Sequence, residues 1–131
     1  MLDANLTVLV AEDDLDICRL WKAYLGNRAK FTEAHDGVSA LEMIQLQRPD
    51  IVFLDIGLPG KLDGIAVLRE LRRDPRLKST HVVIVSGRHP RSLDQKDVLH
   101  ADAYITKPFN KQDLHDWYQG YKTGWRRWLN W

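Results

Sequence analysis

The sequence is poor in cysteine: Cys18 is the single one among 131 residues. It can form neither an internal disulfide nor a multi-cysteine zinc site. Long apolar runs are missing as well. None exceeds about six residues, far short of the roughly 20 needed to cross a bilayer. The opening residues Met1-Leu2-Asp3-Ala4-Asn5 lack the charged and apolar regions of a signal peptide, so a cytoplasmic protein is expected. There is no internal repeat, no low-complexity stretch and no Pro/Gly/Ser-rich linker, which leaves one domain as the expectation.

What is present is ordinary globular material: 44% apolar and 28% charged residues. A chain of this length can bury roughly two-thirds of its unfolded surface, so it needs no covalent or metal staple. The net charge of +1 conceals an asymmetry. Residues 1–64 carry 6 Lys/Arg against 11 Asp/Glu, and residues 65–131 carry 13 against 7. The basic residues of the second half (Arg69, Arg72, Arg73, Arg76, Lys78, Arg126, Arg127) are scattered over several segments. They read as solvated helix faces, and no direct nucleic-acid binding is expected.

Three continuously apolar runs, Val8–Ala11, Ile51–Leu54 and Val82–Val85, read as strands covered on both faces, as in a parallel sheet. Phe31–Ala34 and Tyr104–Thr106 are more polar and suit sheet edges. Helical patterns lie between them. The first is capped by Asp14 and stopped near Leu25 by Gly26-Asn27, with Ile17, Leu20, Trp21 and Leu25 facing inward. The second follows Asp36-Gly37, carries Val38, Leu41, Met43 and Ile44 at helical spacing, and ends at Arg48-Pro49-Asp50. The third spans about Ile65 to Arg73, with Val67, Leu68 and Leu71 toward the core, and stops at Asp74-Pro75. A weaker fourth covers about Arg91–Leu99, and the fifth begins near Asn110 with Leu114, Trp117, Tyr118 and Tyr121 on one face. Strand and helix alternating five times imply one parallel sheet with helices on both faces.

In an open sheet of this kind ligands bind beyond the carboxyl ends of the strands. Glu12-Asp13-Asp14 follow the first strand, Asp55 the third, Ser86-Gly87 the fourth and Lys107-Pro108 the fifth. Taken singly these are turn and cap residues. Taken together, Glu12, Asp13 and Asp55 crowd one rim with a hydroxyl and an ammonium beside them. Such carboxylates repel unless a cation offsets them, and an all-oxygen set favours Mg2+, with Mn2+ as the alternative. A carboxylate, a divalent cation, a hydroxyl and a lysine are the parts that receive a phosphoryl group. Asp55 is then the nucleophile, with Ser86 and Lys107 on the phosphoryl oxygens.

The segments Val8–Asp14, Val52–Pro59, Val83–Gly87 and Ala103–Phe109 resemble, in order and spacing, the CheY-like receiver domain of two-component response regulators, over about residues 5–123. The resemblance implies a flavodoxin-like fold of the (βα)5 kind, with strand order 2-1-3-4-5. It implies transfer of a phosphoryl group from a sensor histidine kinase or histidine phosphotransfer protein to an aspartate. Matched residue by residue, Asp55 is the phosphoacceptor, Asp13 a direct metal ligand, Glu12 a ligand through water and the Gly57 carbonyl the third protein ligand. Ser86 is the switch hydroxyl and Lys107 the site lysine, followed by a proline, Pro108, that is usually preceded by a cis bond. Tyr104 is the aromatic whose ring turns inward when Ser86 is drawn to the phosphate. This sequence departs from the pattern in its Pro59–Gly64 loop, which is one residue longer.

Gly57 offers no side chain to orient an attacking water, Gly87 leaves the site open, and Arg88 is placed to reach the rim. An aspartyl phosphate lasting minutes or longer is therefore expected. The switching surface would be helix four, strand five and helix five, read by a downstream protein or output domain. Leu15 and Cys18 are candidates for docking the phosphodonor, although packing explains each more simply, and Cys18 has no activating neighbour. Residues 124–131 form a Trp/Arg-rich extension holding three of the five tryptophans. It reads first as a cover for its own domain, then as a partner or homodimer surface, and last as a membrane-surface helix. A stand-alone bacterial regulator is expected, the alternative being a receiver cut from a DNA-binding regulator or hybrid histidine kinase. A dehalogenase-type phosphatase would need a second Asp where Gly57 stands. A dinucleotide enzyme would need a glycine-rich turn where Glu12-Asp13-Asp14 stand. A receiver fold kept as an unphosphorylated scaffold would be expected to lack acceptor, metal or lysine groups, and none is missing.

Overall fold

The computed structural model describes residues 5–26 and 29–123. The strands are β1 (Thr7–Ala11), β2 (Lys30–Ala34), β3 (Ile51–Asp55), β4 (His81–Ser86) and β5 (Ala103–Thr106). The helices are α1 (Leu15–Leu25), α2 (Gly37–Gln47), α3 (Gly64–Arg73), α4 (Gln95–Val98) and α5 (Lys111–Thr123). All strand pairs are parallel, in the order β2-β1-β3-β4-β5. This is the flavodoxin-like order, with the two more polar strands at the edges.

The apolar strands alternate between two cores, because successive side chains leave a strand on opposite faces. Leu9, Ala11, Val52, Leu54, Val82 and Ile84 pack with α2 and α3. Val8, Val10, Ile51, Phe53, Val83 and Val85 pack with α1 and α5. In the second core Trp21 lies between Phe53 and Phe109, with ring centroids 4.3 and 4.5 Å away. The indole N–H of Trp117 donates to His81 Nε2 at 3.2 Å, which lets that ring be buried.

Aspartates start four of the five helices, α1, α2, α3 and α4. Asp14 accepts from the Asp16 and Ile17 amides, Asp36 from Ser39 and Asp63 from Ala66, satisfying amides that have no partner within their helix. The termini therefore follow the expected signals, but two inward faces do not. In α1 the buried residues are Cys18, Trp21 and Leu25, while Leu20 is 43% exposed. Leu20 lies about 100° around the helix from Trp21, and Trp21 sets the rotation by filling the aromatic core. In α2 the backbone of Gly37 sits against Leu62, where a Cβ would come within 1.8 Å of the carbonyl oxygen. That contact puts Ala40 and Ile44 inward and leaves Val38 exposed.

The fourth helix is also shorter than expected. Pro90–Ser92 form a 3-10 turn, Leu93 is extended, and Asp94 caps a helix of only four residues. The segment is mostly polar, so little apolar burial favours a longer helix.

The basic residues of α3 are not simply solvated. Arg72 is a hub at the far end of the sheet from the acidic rim. Its guanidinium donates to the carbonyls of His100 (2.7 Å), Thr80 (2.9 Å) and Leu77 (3.4 Å) and to the Asp102 carboxylate (2.8 Å). Asp102 also accepts from the Val82 amide at 2.9 Å. Arg69 clasps Asp97 through two bonds of 2.8 Å, and Arg76 clasps Asp74. No helix among the described residues is long and apolar enough to cross a membrane. The Trp/Arg-rich stretch 124–131 lies outside the described residues.

Candidate functional site

The carboxyl ends of β1, β3, β4 and β5 meet at one rim. Glu12 follows β1 and is held there by its amide, which donates to the Ala34 carbonyl at 2.9 Å. Asp55 closes β3 and Ser86 closes β4. Lys107 follows β5, and its own amide donates to the Ser86 carbonyl at 2.7 Å. The Lys107–Pro108 peptide is cis.

Carboxylate oxygens of Glu12, Asp13 and Asp55 all lie within 4.8 Å of one another. Glu12 is 1% and Asp55 8% exposed, while Asp13 faces solvent. The Lys107 ammonium reaches across from the opposite end of the sequence, 2.6 Å from Glu12 Oε1 and 3.4 Å from Asp55 Oδ2. The Gly57 amide donates to Asp55 Oδ1 at 3.1 Å, and the Asp14 amide to Glu12 Oε2 at 3.2 Å. Burial, reinforced by Asp55 and opposed by the hydrogen bond from Lys107, pushes the Glu12 carboxyl up to about 7. Burial works against the Lys107 ammonium, but its bond to Glu12 and the Asp55 charge outweigh that and hold its pKa above the usual lysine value.

Three carboxyl groups share this rim with one ammonium, and a bound cation would favour their ionised forms, leaving negative charge in excess of Lys107. Hard oxygen donors with that excess fit a divalent ion such as Mg2+, which keeps several waters at an open site. Glu12, Asp13 and Asp55 are the side chains that could hold it.

Ser86 lies beside this cluster, one residue beyond Val85, which pairs with Asp55. Its Oγ accepts from the Arg88 amide at 3.0 Å. The Tyr104 hydroxyl donates to the Arg88 carbonyl at 2.8 Å. Ser86 and Tyr104 are thus joined through one peptide residue, a link the sequence reading did not contain. The Tyr104 ring is only 8% exposed and belongs to the α2–α3 core, so it is already inside rather than waiting to turn in. Burial raises its phenol pKa, against the pull of Ser86 and Arg88. The Arg88 guanidinium donates to the Ser92 carbonyl at 2.9 Å, which directs it along its own loop.

The glycines differ in what they permit. A Cβ on Gly57 would lie 3.8 Å from Asp55 Oδ1, whereas one on Gly87 would meet nothing within 4 Å. At Gly64 a Cβ would come within 2.0 Å of the Asp55 carbonyl oxygen, so the start of α3 presses directly on the Asp55 backbone. The Gly64 amide donates to the Ile56 carbonyl at 2.9 Å, closing the Gly57–Asp63 loop at its base. Leu15, offered as a docking residue, is exposed; Cys18 is buried.

Comparison with known proteins agrees with this fold. The profile of the response regulator receiver domain matches residues 8–119. Response regulator Rcp1 of Synechocystis is 35% identical over 102 residues, covering 69% of this chain and 66% of that protein. Transcriptional regulatory protein CseB of Streptomyces coelicolor is 40% identical over 107 residues, covering 79% of this chain and 43% of that protein. The receiver domain of Francisella response regulator 1452 superposes with a TM-score of 0.77 at 32% identity, covering 92% of this chain and 99% of that one. The chain thus spans less than two-thirds of the length of these two curated relatives.

Proposed function

This chain belongs to the response regulator receiver domain family, and on that premise we propose that it is a phosphorylation switch whose acceptor is Asp55. The observation that carries the reading is the Lys107 ammonium held between Glu12 and Asp55 at 2.6 and 3.4 Å, with Asp13 in the same cluster. A lysine and three carboxylates from three strand ends have no packing reason to converge on a rim.

The Gly57 amide fixes one acceptor oxygen, so the Asp55 carboxylate is oriented before a donor arrives. An Asp55 oxygen forms the new bond to phosphorus. The P–N bond of a phosphohistidine donor breaks, and its electron pair leaves with the imidazole nitrogen. Lys107 shifts from Glu12 to a phosphoryl oxygen, and the Ser86 hydroxyl donates to another. Glu12, Asp13, Asp55 and the Gly57 carbonyl would hold Mg2+, which when bound offsets charge on the phosphoryl oxygens. Phosphorylation adds about 1.5 to 2 negative charges at this rim.

Movement of Ser86 toward those oxygens pulls on the Arg88 amide, and Arg88 carries the pull to the Tyr104 hydroxyl. Because Tyr104 is already inside, the switch is a change in this hydrogen-bonded link rather than entry of the ring. The surface of α4, β5 and α5 then presents a different outline to a partner. The donor is a sensor histidine kinase or histidine phosphotransfer protein, and the only bond chemistry is on the domain's own aspartate.

The test is incubation of wild type and Asp55→Asn with acetyl phosphate and Mg2+. Wild type should gain the mass of one phosphoryl group, released by hydroxylamine and abolished by a chelator. Equal labelling of the two proteins would remove Asp55 from this role.

A further inference from the structure

A second convergence of metal-binding side chains lies beside the first, on the α1 face of the edge strand. Phe31, Glu33 and His35 alternate to the same side of the chain, and Phe31 packs with α1 and α5. Glu33 pairs in register with Val10, whose side chain belongs to that same core. Cys18 points down from α1 toward this edge. As a result the Cys18 Sγ, a Glu33 carboxylate oxygen and a His35 ring nitrogen all lie within 4.8 Å of one another. The pair His35 Nε2 and Glu33 Oε2 is 3.9 Å apart.

The His35–Glu33 separation is close to that between ligands of one ion. Bonds of about 2.0 to 2.3 Å at tetrahedral angles place neighbouring ligand atoms about 3.3 to 3.8 Å apart. Side-chain movements of at most about 1 to 1.5 Å therefore close the set. One sulfur, one nitrogen and one oxygen suit a borderline-soft ion and not Mg2+ or Ca2+, which take oxygen. A thiolate and a carboxylate balance the charge of a dication. The cluster has a buried anchor in Cys18, while Glu33 and His35 are half exposed. An ion can enter from solvent and keep water in its fourth position.

We propose that Cys18, Glu33 and His35 form a binding site for one divalent transition-metal ion of the Zn2+ class. On binding, the sulfur–metal bond replaces the S–H bond, the proton leaves to solvent, and nothing is oxidised. The thiol now donates to the Glu12 carbonyl at 3.4 Å, so binding ends a hydrogen bond to the residue next to Asp13.

The test is Co2+ titration of the full chain without an affinity tag, with millimolar Mg2+ present to fill the acidic rim. The expected result is a near-ultraviolet thiolate-to-cobalt charge-transfer band saturating at one ion per chain and displaced by Zn2+. His35→Ala and Glu33→Gln change exposed side chains and should fold normally, as circular dichroism will verify. Each should weaken the titration at least about tenfold. Cys18→Ser should remove the band, and Asp13→Asn and Asp55→Asn should retain it. Absence of the band, its persistence in Cys18→Ser, or its indifference to His35→Ala would overturn the site. One bound cobalt per chain retained in Cys18→Ser but lost in Asp55→Asn would assign the ion to the acidic rim and equally overturn it.

Discussion

Replacing Arg72 by methionine keeps most of the aliphatic stem and removes the guanidinium. The wild-type group makes three bonds of 2.7 to 2.9 Å, to His100, Thr80 and Asp102, and its side chain is 15% exposed, as is that of Asp102. Removing one member of a fully buried pair costs about 3–5 kcal/mol. Here a cleft of about 430 Å³, lined by Arg72, Lys78, Leu99 and His100 among others, admits water to the freed carbonyls. Asp102 also keeps the Val82 amide. The expected loss is therefore about 2–3 kcal/mol, discounted for that solvent access. In urea melts the midpoint should fall by about 1–2 M, and Tm by roughly 6–12 °C. Asp102→Asn should cost less, because its carbonyl oxygen still accepts. The double variant should recover at least about 1 kcal/mol of the summed losses, since the two groups share one bond. A single-variant loss within about 0.5 kcal/mol, the range of ordinary surface changes, would refute the hub. So would strict additivity.

The Arg69 guanidinium, hydrogen-bonded to Asp97, holds that carboxyl below its usual range. A depressed folded-state pKa stabilises above the unfolded value near 4 and is lost as pH falls through the folded one. Arg69→Met should therefore melt below wild type at neutral pH, and the gap should close below about pH 4; a constant gap would reject the pairing. Gly64→Ala puts a Cβ within 2.0 Å of the Asp55 carbonyl. It should lose about 1–3 kcal/mol in a denaturant melt and accept phosphate more slowly from acetyl phosphate; wild-type behaviour in both would show that α3 can yield. Gly57→Asn places an amide close to Asp55 Oδ1 and should shorten the aspartyl phosphate lifetime, followed by phosphate release, from the minutes or longer expected of wild type. An unchanged lifetime would mean that water is oriented elsewhere.

The strands and the residues of the rim could be read from the chain because they rest on local signals, whereas the strand order came from the resemblance to receiver domains. Val8–Ala11, Ile51–Leu54 and Val82–Val85 are continuous apolar runs, and the chemistry-bearing residues stand immediately after strands. The Asp14 cap was legible for the same reason, acting over two or three residues, whereas Asp36 read only as a turn and Asp63 was not singled out. Helix rotation was less legible: the seats of Leu20 and Val38 depend on Trp21 and Leu62, which reach them through tertiary packing. The short α4 was missed because periodicity does not register what Asp94 and an extended Leu93 do to the backbone. The Arg72 hub and the link from Ser86 to Tyr104 pass through backbone carbonyls, which no side-chain pattern announces. The Cys18, Glu33 and His35 set could have been suspected from period-two spacing in β2, but its cysteine comes from another element.

The segment from Gly57 to Asp63 is tied off where it leaves and rejoins the fold, with Gly64 seated on the Asp55 peptide. Its crest at Gly60 and Lys61 faces solvent. A knot at the neck isolates what hangs from it, so length can vary at the crest without disturbing residue 55. An epitope or fluorophore grafted between Gly60 and Lys61 would ride a few residues from the Asp55 carboxylate without touching the backbone that holds it.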